Sequence, residues 1–203
     1  MSNKLLVKIC GIRDLDIAKQ TAKLGANYIG LVFYPDSKRN VDAKQAKLLS
    51  DMIKQNGAIP VAVFVDQTAA EMQEICLNTN ISTVQLHGNI SRQQHYLLPE
   101  NYTRIYAITQ FEHENQLTYC QPERDFLLYD HIDSGKGKSF DWTKFLPPDK
   151  FRWFLAGGLN PDNIHSAIQK LNPSGVDVSS GVENQSGQKD IELIQRFIQE
   201  AKR

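Results

Sequence analysis

Eight short runs rich in β-branched and aromatic residues recur along this chain, and helical-period stretches separate them. The runs are "LLVKIC" (5–10), "NYIGLVF" (27–33), "IPVAVFV" (59–65), "STVQLH" (82–87), "RIYAI" (104–108), "DFLLYD" (125–130), "RWFLAGG" (152–158) and "GVDVSSG" (175–181). Helical segments are expected near 14–24, 42–55, 68–78, 91–98, 111–119, 161–171 and 188–202, the one at 111–119 being weak. Several runs are apolar throughout rather than alternating, which marks strands covered on both faces. Their spacing averages roughly the 25–30 residues of a βα unit. Repeated βα units dictate a parallel sheet, open or closed.

Eight units, with polar residues gathered at the strand ends, favour the closed (β/α)₈ barrel: an α/β fold forming one domain over 1–203 at the short end of that fold's range. A doubly wound open sheet is the alternative, but no GxGxxG follows the first strand. Lysine plus arginine and aspartate plus glutamate each number 23, so the formal charge is zero. Without a basic excess the chain is expected to bind neither nucleic acid nor an anionic membrane surface. No apolar run approaches the ~20 residues of a membrane span. Cys10, Cys76 and Cys120 are odd in number, far apart and not in a CxxC pair. The expectation is a reduced cytoplasmic protein without disulfides.

In such barrels chemistry sits at the carboxyl ends of the strands. Here those ends carry Lys8 and Cys10, Phe33 with "YPDSKRN", Asp66, Gln85 and His87, Asp130, "AGG" (156–158), and Asp177 with "SSG" (179–181). Lys8 and Cys10 share one face of their strand because side chains alternate. A lone cysteine at a strand end is ordinarily filler. Two ends read as a phosphate cradle. Gly157 and Gly158 in "LAGGL" let backbone N–H groups approach an anion, and Ser180, Gly181 and Val182 in "VSSGVE" offer a turn of N–H groups beside them. Two other segments are decoys. "SGKGKSF" (134–140) ends like a Walker A loop, yet Ile132 stands where its first glycine belongs. "FEHEN" (111–115) lacks metal-site spacing and reads as solvated surface.

These segments in this order resemble the phosphoribosylanthranilate isomerase family of tryptophan biosynthesis over nearly the whole chain. "KICGIR", "GANYIGLVFYPDSKRNV", "VAVFVD", "VQLHG", "FLLYD", "GKGKSFDW", "FLAGGLNPDNI", "GVDVSSGVE" and "GQKD" carry the resemblance. Ser134-Gly135 departs from a glycine pair usual before the Gly-Lys, and Tyr129 stands where leucine is common. The resemblance implies an Amadori rearrangement of a small-molecule substrate, N-(5-phosphoribosyl)anthranilate, with no cofactor and no metal. It implies Cys10 as general base and Asp130 as general acid. A thiol of pKa ~8.5 is only a few per cent ionised at neutral pH. The neighbouring Lys8 charge is expected to favour the thiolate, while Asp130 must hold a proton near neutrality. Arg39 suits the anthranilate carboxylate, because a planar guanidinium pairs with it bidentately. Lys8, Gln85, His87 and Asp177 are expected to contact or position substrate, and a monomer is the expected state. Two other readings stay open. The related isomerase of histidine biosynthesis expects paired aspartates, and a non-catalytic phosphosugar-binding barrel would be expected to have lost Cys10 or Asp130.

Overall fold

The structure, a computed structural model, describes residues 5–108, 117, 120–130 and 150–203. Its strands are β1 (Leu6–Cys10), β2 (Tyr28–Val32), β3 (Ile59–Phe64), β4 (Thr83–Leu86), β5 (Thr103–Ile108), β6 (Phe126–Tyr129), β7 (Arg152–Leu155) and β8 (Gly175–Val178). Each pairs in parallel with the next and β8 pairs with β1, closing an eight-stranded barrel. The helices among the described residues are α1 (Leu15–Lys23), α2 (Ala43–Gln55), α3 (Ala69–Thr79), α4 (Asn89–Gln93), α5 (Ile164–Leu171) and α6 (Ile191–Lys202). None of them is long and apolar enough to cross a membrane. The expected weak helix at 111–119, "FEHEN" and "SGKGKSF" lie outside the described residues, apart from Leu117.

The strands are apolar on both faces because each face has its own core. Outward side chains such as Val7, Ile29, Phe64, Val84 and Val176 join Leu49 of α2 and Phe197 of α6 in a layer between barrel and helices. Inward side chains, among them Tyr28, Val61, Ile105, Phe126, Leu128 and Phe154, fill the barrel itself. Tyr28, Phe126 and Phe154 meet with centroids 5.2 to 6.1 Å apart. The Arg152 guanidinium lies 4.1 Å from the Phe126 centroid. Tyr129 points outward and stands edge-on to Trp153, so that departure from leucine is a matter of packing against the helix layer.

Local signals place the helix starts. Asp14 and Asp42 accept N–H bonds from Ile17 and Gln45, and Thr68 with Glu71 forms a capping box at α3. The expected strands at 152–158 and 175–181 stop earlier, at Leu155 and Val178. Gly157 turns at φ 84°, and Ser180–Val182 coil into a single 3₁₀ turn, so both glycine segments become rim loops. The opposite rim holds a purely structural polar cluster. Arg104, 3% exposed, donates to the carbonyls of His95, Leu98 and Tyr102, while Asp125 accepts the N–H groups of Arg104 and Gln121.

Candidate active site

Strand alternation turns Lys8, Cys10, Gln85 and Asp177 into the barrel at its carboxyl-terminal half. Register places Lys8 of β1 beside Asp177 of β8, and Lys8 Nζ lies 2.9 Å from Asp177 Oδ1. Both are buried, Lys8 completely. Burial pulls the lysine pKa down, but the charges of Asp177 and Cys10 outweigh it and carry the net shift upward. The pair lies one layer beneath Cys10, two residues earlier on the same inward face of β1.

Cys10 ends β1 with its side chain in the barrel. Register sets it beside Gly30 of β2, where an added Cβ would lie 2.7 Å from Cys10 Sγ. Gly30 is thus the space the sulfur occupies. The expectation that Lys8 would favour the thiolate is met in sign only. Burial is the largest influence and pushes the thiol pKa up; Lys8 and Lys189 pull it back, and Asp177 pushes it further up. The net shift of the thiol is upward. Cys76 and Cys120 are also buried and pushed up to about 12, Cys120 despite the Arg104 and Arg124 charges nearby.

At the ends of β4 and β6 three polar groups line up. Gln85 Nε2 lies 3.4 Å from His87 Nδ1, and His87 Nε2 lies 3.7 Å from Asp130 Oδ2. His87 and Asp130 side chains are 41% and 31% exposed, so they stand at the mouth rather than in the core. Gln85 is buried, and its Oε1 accepts no bond from the described residues.

The two glycine-rich rim loops touch. A Cβ on Gly181 would fall 1.8 Å from the Leu159 carbonyl oxygen, so glycine there lets the loops after β7 and β8 meet backbone to backbone. Gly158 adopts φ 67°, and a Cβ there would enter open space. Its carbonyl accepts from Asn163 Nδ2 at 2.9 Å, and Asn160 and Asn163 lock the following turn. The Val182 side chain is fully buried, and its N–H lies 3.4 Å from the Ser179 carbonyl oxygen. That side chain anchors the turn formed by Ser180–Val182, which stands at the rim beside Gly157 and Gly158.

Arg39 leaves the loop after β2 and crosses the end of β1. A Cβ on Gly11, which sits at φ 80°, would meet Arg39 Cδ at 2.4 Å. The guanidinium then reaches Glu183, with Nε 2.6 Å from Oε1 and Nη2 2.9 Å from Oε2. Glu183 also accepts from Lys189 Nζ at 2.9 Å, and Lys189 donates to the Ser179 carbonyl at 2.8 Å. Burial would raise the Glu183 pKa, yet the bonds from Arg39 and Lys189 win and bring it down to about 2. Neither Glu183 nor Lys189 stood out in the sequence. A carboxylate two residues past the glycine turn in "SSGVE" was the available signal, but spacing alone does not reveal which cation it meets.

No group of three or more histidine, cysteine or carboxylate side chains able to hold a metal occurs among the described residues. The rim thus gathers a thiol over a buried ion pair, a carboxyl beside an imidazole, a glycine-lined open space and an anchored guanidinium. Known proteins share this frame. The N-(5'-phosphoribosyl)anthranilate isomerase of Chlamydia felis is 43% identical over 201 residues, covering 97% of this chain and 96% of its own. A crystal structure of monomers of the dimeric phosphoribosylanthranilate isomerase from Thermotoga maritima superimposes with TM-score 0.81 at 36% identity, covering 98% of both chains. A further isomerase structure, in complex with reduced 1-(o-carboxyphenylamino)-1-deoxyribulose 5-phosphate, does so with TM-score 0.81 at 35% identity and the same coverage. Residues 7–200 match the family described as N-(5'phosphoribosyl)anthranilate (PRA) isomerase, and the chain belongs to that family.

Proposed function

We propose that the chain catalyses the family's reaction through Cys10 and Asp130. N-(5-phosphoribosyl)anthranilate becomes 1-(2-carboxyphenylamino)-1-deoxyribulose 5-phosphate, an aldose-to-ketose rearrangement in tryptophan biosynthesis. Asp130 gives a proton to the ribose ring oxygen as the C1–O bond breaks, leaving an iminium at C1. Cys10, as thiolate, removes the C2 proton, and the electron pair moves into the C1–C2 bond to give an enolamine. Tautomerisation moves the enol proton to C1 and leaves the C2 ketone. Each step is a proton transfer by a positioned side chain.

The observation that carries this reading is the pair of environments given to Cys10 and Asp130. One sits buried over the Lys8–Asp177 ion pair, the other beside His87 at the mouth. A base that needs a nearby cation to ionise and an acid placed where substrate protonates are two roles set by two surroundings. The substrate phosphate suits the rim formed by Gly157, Gly158, Ser180, Gly181 and the backbone of Val182, and the anthranilate carboxylate suits Arg39. Held at both ends, the ribose lies between acid and base. Lys8 and Asp177 act through Cys10, and Gln85 and His87 act on the Asp130 side. Every group invoked comes from one barrel, so a monomer suffices, and a free-thiol base suits a reduced cytoplasmic setting.

Complementation of a tryptophan auxotroph lacking only this step tests the assignment. The wild-type gene should restore growth. Cys10→Ala and Asp130→Asn should each lower kcat by at least ~10²-fold in the folded protein. Near-normal turnover by either variant overturns that residue's role.

A further inference from the structure

The head group of Arg39, the proposed carboxylate contact, is already held by another side chain, and the way it is held matters. A guanidinium presents two bidentate edges to carboxylates, Nε with Nη2 and Nη1 with Nη2. Glu183 takes the first edge, bonding Nε and Nη2. The second edge, formed by Nη1 and the other Nη2 hydrogen, has no bond to a described residue. The charge count agrees. Glu183 faces Arg39, Lys189 and, at 3.4 Å, Lys38, so one nearly buried carboxylate meets three cations. The site keeps a surplus of positive charge that a second carboxylate would meet.

The network also reaches the base. Lys189 joins Glu183 to the Ser179 carbonyl, and the Ser179 hydroxyl donates to the Cys10 carbonyl at 3.2 Å. Arg39 itself lies over Gly11, the residue after Cys10. We propose that Glu183 is a positioning residue for substrate selection: it clamps one edge of Arg39 so that the opposite edge stands over the end of β1 as a fixed fork for the carboxylate of an arylamine phosphosugar. The inference rests on the reading of Arg39 as the carboxylate contact. Without the clamp Arg39 has several rotatable bonds over an open mouth, and ordering them would be charged to substrate binding.

Two ligands and three variants, each measured against the wild-type protein, test it. The ligands are reduced 1-(2-carboxyphenylamino)-1-deoxyribulose 5-phosphate and the same compound with phenyl in place of 2-carboxyphenyl. Glu183→Gln should raise Kd for the carboxylated ligand and KM for substrate at least about tenfold, the scale of a charge-assisted pair. Binding of the phenyl ligand should stay within about twofold and kcat within about threefold. In an Arg39→Ala background, Glu183→Gln should change nothing further, because the clamp then has nothing to hold. An equal loss for both ligands would mean that Glu183 is only structural and overturns the proposal. Tighter binding of the carboxylated ligand would make Glu183 its competitor, with the same consequence. If Arg39→Ala weakens both ligands alike, the Arg39 reading itself fails; if Arg39→Ala is selective and Glu183→Gln is not, the clamp alone fails. Should Glu183→Gln not fold, Glu183→Asp must show the same selective loss with a smaller shift, or the proposal falls.

Discussion

At Cys10, two physical effects oppose each other at a single sulfur. The interior of a barrel disfavours a thiolate, while Lys8 beneath it and Lys189 beside it favour one, and burial prevails in the uncomplexed protein. A substrate that displaces nothing charged from below leaves Lys8 in place to stabilise the thiolate that takes the C2 proton. Alkylation reads the balance. The rate of Cys10 modification by iodoacetamide should climb close to tenfold per pH unit from pH 7 to 9 without levelling, because only the thiolate reacts. Cys76 and Cys120, held at about 12, should stay unmodified in the native protein. A plateau below pH 8.5 would mean that the cations outweigh burial.

Rim loops, as elements, divide their glycines between two tasks. Gly181 exists for contact: even a methyl group would strike the Leu159 carbonyl and drive the loops after β7 and β8 apart. Gly158 exists for conformation and for room, since its φ of 67° costs a non-glycine residue about 1 kcal/mol and its missing side chain opens onto space. The two substitutions should therefore fail differently. Gly158→Val is expected to fold with a modest loss of stability and to weaken competitive inhibition by inorganic phosphate. Gly181→Ala is expected to lose both stability and phosphate inhibition, because it displaces backbone. Unchanged phosphate inhibition in Gly158→Val would move the cradle elsewhere.

Across the whole molecule, polar groups at the two rims serve different ends. The carboxyl-terminal rim keeps its charges beside open space, whereas the other rim ties Arg104, Asp125 and Arg124 to carbonyls and to each other. His95 belongs to that structural end, edge-on to Tyr106 at 5.1 Å. Burial, with the Arg104 charge, brings its pKa down to about 4. Above pH 6.5 the imidazole is neutral whether folded or not and contributes no pH dependence. As pH falls from about 6.5 to about 4, the unfolded chain binds a proton that the fold refuses, so stability is lost across that window. The whole loss from this group is about 3 kcal/mol. Urea unfolding at pH 7 and pH 4.5 should show a shallower decline for His95→Gln than for wild type. Parallel declines would assign acid sensitivity to other groups.

The sequence by itself determined a parallel sheet covered on both faces and favoured its closure, since a strand with two buried faces reads as an apolar run, βα alternation admits only parallel neighbours, and the units number eight. It also put Cys10, Asp130, Gly158 and Gly181 at strand ends, because a strand's end and its inward face are local properties. What lay beyond it was partnership. Lys8 and Asp177 are 169 positions apart and become an ion pair only when β8 closes on β1. Arg39 and Glu183 are 144 positions apart and meet only because the former crosses Gly11. Gly30 reads as an ordinary strand glycine until register sets it against the sulfur of Cys10. Local chemistry names the groups that can act, and closure of the ring decides which charges stand beside them and therefore which protons they hold.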